Sequence, residues 1–245
     1  MTEASRIALG EKALKAVKDY ELDGIDIIFE GWVGSSNGGS DKAENLPFVA
    51  HLNALSQQLK TGLKALGEKK LLTIGVKGDH TSWGTQNAYN GDFSMFEQAD
   101  YINVMIYSFT GSWASSPVAQ HSSFEHFVGA ATQWSVKNNI SKSKLLLGVP
   151  AYAMEFQNQT SPTGAKHKAY KAILAEYPAE NPATKDEFIT GDGKVVYYNG
   201  HPLVQKKADY VKENDYAGIM LFELSEDSED DATSLLQVIY NTFKE

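Results

Sequence analysis

Residues 23–30 read Asp23-Gly24-Ile25-Asp26-Ile27-Ile28-Phe29-Glu30. On a β-strand alternate side chains share a face, so Ile25, Ile27 and Phe29 point one way, toward covering helices. Asp26, Ile28 and Glu30 point the other way, into the interior if the sheet curves closed. Two carboxylates on an interior face are costly unless they have partners or chemistry to perform. Glu30 ends the strand, and the C-terminal ends of strands are where parallel α/β barrels carry catalytic groups. A solvated strand-end acid is the plainer alternative. Gly31 and Trp32 then open a loop containing SSNGGS.

Outward from this strand, helical and strand periodicities alternate along the chain. Residues 4–20 carry Ile7, Ala8, Ala13, Leu14 and Val17 at helical spacing, and residues 47–66 carry Val49, Leu52, Leu55, Leu59 and Leu63 on one stripe. Strands are expected at Gly24–Phe29, Leu71–Val76, Tyr101–Tyr107, Lys144–Pro150 and Ala217–Leu221, with further helices at 94–98, 122–138, 203–214 and 231–243. The runs LLTIGV, INVMIY, LLLGVP and GIMLF are apolar on both faces, as in a parallel sheet covered by helices. The alternation predicts right-handed βαβ units. The fold class is therefore α/β, a (β/α) repeat over residues 1–245 with five recognisable parallel strands; it is expected to be one barrel-like domain, where a complete TIM-barrel type has eight. Residues 152–204 read as an elaborated loop insertion holding a helix at 166–177 and a strand-like KVVYY.

With 22 Lys and Arg against 31 Asp and Glu, the net charge is −9. Such a surface repels phosphate backbones, and no basic cluster with interleaved aromatics is present, so no nucleic-acid partner is expected. The absence of cysteine rules out disulfides and Cys-based zinc sites. The six histidines are scattered, and His121 and His126 are five apart rather than the four that puts two imidazoles on one helical face. No metal and no cofactor is expected. No run approaches the ~20 apolar residues that cross a bilayer, so no membrane is expected either. The first twenty residues lack an apolar core and read as a helix, not as a signal peptide.

DGIDIIFE resembles the signature of glycoside hydrolase family 18, the chitinases and endo-β-N-acetylglucosaminidases, usually written DGxDxDxE. Later strands extend the resemblance in order: VMIYS at Val104–Ser108 is similar to the family's MxYD segment, GVPAY at Gly148–Tyr152 to the next strand end, and GIMLFEL at Gly218–Leu224 to the last strand. The resemblance implies that Glu30 is the general acid and that the substrate's own N-acetyl oxygen attacks the anomeric carbon. It makes Asp26, Glu30 and Tyr107 the catalytic positions, and Trp32, Tyr152, Phe222, Ser108 and Ile28 the positions lining the substrate. It also implies an N-acetylglucosamine-containing oligosaccharide as partner and a secreted or periplasmic setting.

Three positions depart from the family pattern. Ile28 stands where the Asp that orients the N-acetyl group belongs, Ser108 replaces the MxYD Asp, and Phe222 replaces the Trp under the sugar ring. Asp26 is no substitute for the missing carboxylate. At ~3.3 Å per residue it lies roughly 13 Å from Glu30, against about 7 Å for position 28. Losing one such electrostatic element costs ~3–4 kcal/mol, a few hundredfold in rate. Weak or absent hydrolysis is therefore expected. Active hydrolysis, sugar binding without turnover, and an engineered or truncated scaffold without ligand stay open as alternatives.

Trp83, Trp113 and the polar stretch Lys77–His80 are further candidate sugar contacts. The acidic run Glu226–Asp231 reads as a solvated loop before a helix N-terminus, where negative charge is favourable. The family's first three strands have no counterpart here. That leaves the edges of the strands at 24–29 and 217–221 to pair with each other, to pair with a second copy as a homodimer, or to belong to a fragment.

Overall fold

The computed structural model describes residues 2–28, 42–67, 69–78 and 92–244, without the side chains of 42–47. Five parallel strands form one sheet: β1 (Gly24–Ile28), β2 (Leu71–Lys77), β3 (Tyr101–Met105), β4 (Leu145–Pro150) and β9 (Gly218–Phe222), in the order β1-β2-β3-β4-β9. The strands expected from periodicity are thus consecutive neighbours, with β1 and β9 at the two ends. Contacts divide the described chain into two compact units. One comprises residues up to Val104 with Gly129–Leu146, and the other Met105–Val128 with residues from Leu147 on. Among the described residues no helix is long and apolar enough to cross a membrane.

In the first unit, α1 (Glu3–Asp19) and α2 (Lys42–Leu66) cover β1 and β2. Ile27 packs into a core with Val17 of α1, Leu55, Leu59 and Leu63 of α2 and Leu72 of β2, and Ile25 lies at its margin. Asp26 and Ile28 take the opposite, exposed face. The alternation read from the sequence is the one observed. A short α3 (Ser94–Gln98) buries Phe96 edge-on against Trp134, at 5.4 Å between ring centroids.

The second unit carries what the sequence suggested was a loop. Between β4 and α6 (His201–Glu213) lie β5 (Tyr152–Phe156), β6 (Lys166–Ala169), α5 (Tyr170–Glu176), β7 (Glu187–Ile189) and β8 (Val195–Tyr197). The strands form a second, antiparallel sheet in the order β6-β5-β8-β7. Its strands are short, three to five residues each, too brief for alternation to stand out from turn-rich sequence. The first part of the expected helix at 166–177 is β6, because Lys166–Ala169 pair with Tyr152–Glu155. Ala151 anchors this sheet: its N–H donates to Phe222 O at 2.7 Å and its carbonyl accepts from Tyr170 N at 2.9 Å. The bond to Phe222 sets Tyr152 beside the end of β9.

α4 (Phe124–Thr132) continues as a π-helical turn at Gln133–Lys137, and α7 (Leu235–Phe243) closes the described chain. The acidic run before α7 is not simply solvated. Asp227 is 4% exposed, and its carboxylate accepts from Leu235 N and Leu236 N at 2.9 Å and from Ser234 Oγ at 2.8 Å. Placing this charge on the unpaired N–H groups of a helix start is favourable on both hydrogen-bonding and dipole grounds.

Candidate functional site

In the first unit, Asp26 Oδ1 accepts from Thr73 Oγ1 at 2.5 Å and from Asn103 Nδ2 at 3.1 Å, donors on β2 and β3. The carboxylate is thereby held across three strands. Ile28, two residues on, is 48% exposed. Its side chain lies over Gly75 of β2, where an added Cβ would come within 2.7 Å of Ile28 Cγ1. A glycine opposite thus makes room for the branched side chain. Glu30 and Trp32 lie outside the described residues, as do Trp83, Asp79 and His80; Lys77 ends β2 and is exposed.

In the second unit, the strand ends gather aromatic rings. Tyr107, just after β3, stacks on Phe222 at the end of β9, with centroids 5.5 Å apart and planes 19° apart. Tyr152 meets Tyr107 edge-on at 5.9 Å. Phe222 is 44% exposed and Tyr152 only 3%, so of these two rings the phenylalanine offers a face to a ligand. Tyr107 Oη donates to Met220 Sδ at 3.9 Å. Trp113 sits in the loop after β3 and is 45% exposed.

Ser108 follows Tyr107 in a left-handed backbone conformation, φ 58°. It is exposed, with Oγ 2.7 Å from Tyr152 Oη. The residues that hold this corner carried no signal in the sequence. His121 stacks on one face of the Tyr152 ring at 5.0 Å, and His167 stacks on the other at 4.4 Å with planes 15° apart. His167 reaches Tyr152 because it faces Met154 across β5–β6, one diagonal step from the Tyr152–Ala169 pair.

His121 is completely buried. Its Nδ1 accepts from Ser108 N at 3.4 Å, so the ring proton sits on Nε2, which donates to Tyr152 O at 3.2 Å. Burial, with the nearby Lys207 charge, pushes His121 down to about 3 against the bond to the Tyr152 carbonyl. His167 Nε2 lies 2.7 Å from Glu226 Oε1. The other oxygen, Glu226 Oε2, is buried with no hydrogen-bond partner among the described residues.

Beneath His121, Lys207 of α6 is fully buried. Its Nζ donates to Ser122 O at 2.7 Å, Ser122 Oγ at 2.8 Å and Asn199 Oδ1 at 2.5 Å. Ser122 Oγ spends its own proton on Ile106 O, so all three partners accept. Burial pulls Lys207 well below the ordinary lysine value, opposed by the Asp186 charge. The three acceptors match the three protons of an ammonium, and they pin the residue that follows His121. Among the described residues no group of three His, Cys, Asp or Glu side chains is placed to hold a metal ion.

Five consecutive parallel, helix-covered strands with polar and aromatic groups at their C-terminal ends make a TIM-barrel-type fold. The chain belongs to the glycosyl hydrolases family 18, whose family model matches residues 1–227. It is 24% identical to Endochitinase 1 of Metarhizium anisopliae, over 92% of this chain and 57% of that protein. The GH18 chitinase ChiB from the chitin utilization locus of Flavobacterium johnsoniae matches with a TM-score of 0.73 at 30% identity, over 97% of this chain and 65% of that one. Human YKL-39, a pseudo-chitinase with retained chitooligosaccharide binding properties, shares the fold at a TM-score of 0.74 and 17% identity, over 100% of this chain and 75% of that one. The chain thus spans 57% of the fungal relative's length.

Proposed function

We propose that this chain binds β-1,4-linked N-acetylglucosamine oligosaccharides and hydrolyses them weakly or not at all. In this reading Phe222, stacked on Tyr107, is the platform for a sugar ring, Tyr107 and Ser108 face the N-acetyl group, Tyr152 holds the Ser108 hydroxyl, and Trp32 borders the site. Glu30 is the general acid, and Asp26 acts as a strand-spanning anchor. The observation that carries the reading is the half-exposed Ile28 in a family 18 chain. An apolar side chain there cannot stabilise the positive charge of a cyclised acetamido intermediate. YKL-39 is a precedent at the level of fold for binding that outlives turnover. A secreted or periplasmic location belongs to the same proposal.

Titration with tetra-N-acetylchitotetraose followed by tryptophan fluorescence, beside a fluorogenic chitobioside assay, tests this. Saturable binding with turnover at background is expected. Turnover at the level of an ordinary chitinase sinks the pseudoenzyme reading, and no binding at all leaves a scaffold without ligand.

A second reading concerns the sheet ends. β1 and β9 are half-exposed along most of their length, whereas β4 is buried, and Leu224, just past β9, is 66% exposed. Apolar edges that are unpaired among the described residues favour association, which supports a homodimer through these strands. Light scattering after size exclusion decides it, and a monomer at micromolar concentration rules it out.

A further inference from the structure

A hollow in the second unit is lined by none of the strand-end residues. It encloses about 410 Å³ between α5, the turns that follow it and the loop before α7. Small-molecule sites run from roughly 300 to 1,000 Å³, with apolar walls and a few placed polar groups. Here the wall is Leu174 of α5 with Pro178, Pro182 and Ala183, and the polar groups include Lys171, Asn181 and Asp230.

Both sides of the hollow are fixed by the fold. Tyr170 Oη and His201 Nε2 donate to Thr233 O at 3.1 and 3.0 Å, tying α5 and α6 to the loop. Within the loop, Asp230 Oδ1 accepts from Ala232 N at 3.0 Å, and Ser228 Oγ and Thr233 Oγ1 are bonded to each other at 2.7 Å. On the other side Pro178 and Pro182 each open a 3-10 turn, and Pro182 O accepts from Tyr198 Oη at 2.9 Å. Asn181 sits between them in a left-handed conformation, φ 49° and ψ 60°, with Pro182 restricting it further. A site held this way loses little freedom when a ligand enters.

We propose that this hollow is a second binding site for N-acetylglucosamine residues, anchoring a β-1,4-linked chain away from the strand ends. This rests on the sugar-binding reading above and adds a separate point of attachment to it.

The polar groups left over by the fold select the guest. Among the described residues, Lys171 Nζ and the Asn181 carboxamide make no hydrogen bond or ion pair, and Asp230 engages one oxygen only. An ammonium donates, a carboxylate accepts and a carboxamide does both. One positive and one negative side chain cancel, so a guest without net charge is favoured. A pyranose answers all three groups at once, since each of its hydroxyls both donates and accepts. Its acetamido group pairs with the Asn181 carboxamide, and the acetamido methyl lies on the apolar wall.

A zwitterionic dipeptide is the other guest without net charge, and membership of a glycosyl hydrolase family favours the sugar. The two sites together matter most on a polymer, whose repeating residues let both be filled by one particle and multiply the separate affinities. Lys171 and Asn181 are exposed, so replacing either leaves the core untouched.

The test is an amide-resolved NMR titration of the 245-residue chain with di-N-acetylchitobiose. Two groups of saturable shifts are expected, one at residues 171–183 and 228–233 and one around Tyr107, Tyr152 and Phe222. Lys171→Met, and Asn181→Gly, which keeps the left-handed backbone, should each weaken the first group about fivefold. Both should leave the second group as in wild type. Ala175→Leu narrows the hollow from α5 without touching a polar group and should act like them. The Lys171→Met, Asn181→Gly double variant should also adsorb to insoluble chitin at least about tenfold less than wild type. No shifts at 171–183 and 228–233, or shifts there that survive all three substitutions, overturn the inference. Saturable shifts there with alanyl-leucine and none with the sugar make it a peptide site and overturn it as well. Shifts confined to this hollow uphold the second site and sink the strand-end reading, and shifts confined to the strand ends do the reverse.

Discussion

The strand-end face of the first unit and the aromatic corner of the second present opposite solutions to building a site. At the first, Asp26 is exposed, held by two side-chain donors from neighbouring strands, and Ile28 beside it touches a glycine. At the second, Tyr152 is buried between two imidazoles, and the loop beneath it is tied to a buried lysine. A position with few committed neighbours can exchange an acid for an isoleucine without disturbing its surroundings. A position whose ring, hydroxyl and backbone are all engaged cannot change alone. Tyr107 and Tyr152, which match the family pattern, lie in the second kind of setting; of the three departures from it, Ile28 lies in the first, while Ser108 and Phe222 lie on the exposed side of the second.

The sharpest way to break this comparison is Ile28→Asp. If the first face is merely disarmed, turnover of a fluorogenic chitobioside should rise by about two orders of magnitude, the effect of one transition-state electrostatic element. No rise would mean that the loss extends beyond position 28, with Ser108→Asp the next substitution to combine. Next in size is Lys207→Met. It takes the Lys207 donor from buried Ser122 Oγ and Asn199 Oδ1, while Ser122 O keeps a 3.3 Å bond from Asn199 Nδ2, and urea unfolding should show a loss of about 2–3 kcal/mol. A loss below half a kcal/mol would show that the corner does not depend on that lysine.

The pH dependence of stability is a further test of the second region. Folded His121 stays neutral to about 3, while the unfolded imidazole protonates near 6.5. Between those values the unfolded state binds the extra proton. This contribution to stability is complete above 6.5 and is lost as pH falls toward 3, by at most about 1.4 kcal/mol per pH unit. His121→Gln should flatten the acid limb of the stability curve, and an unchanged limb would assign acid unfolding to other groups. The smallest effect expected is on Phe222→Ala, which should weaken chitotetraose binding by about 1 kcal/mol, roughly fivefold. Unchanged affinity would remove Phe222 as the platform.

Much of this was legible from residues 23–30 and the strands that follow. The two-residue period of GIDII assigned Ile27 to the helices and Asp26 and Ile28 to the opposite face, and the structure has them there. Strand order followed from the alternation of helix and strand, because short βα units leave consecutive parallel neighbours as the simplest path. Tyr107 and Phe222 were each assignable to a strand end in advance, whereas the stacking of their rings came only with the structure.

The two histidines, Glu226 and Lys207 could not be found this way. His167 and Glu226 are 59 residues apart, and Lys207 and Ser122 are 85 apart. No periodicity links such positions. What the chain determines by itself is which faces of its elements are apolar, because that depends only on side chains a few residues apart. Which polar groups meet across those faces depends on the path of the whole chain, including an insertion whose short strands are stable only once paired. That was left to the tertiary structure.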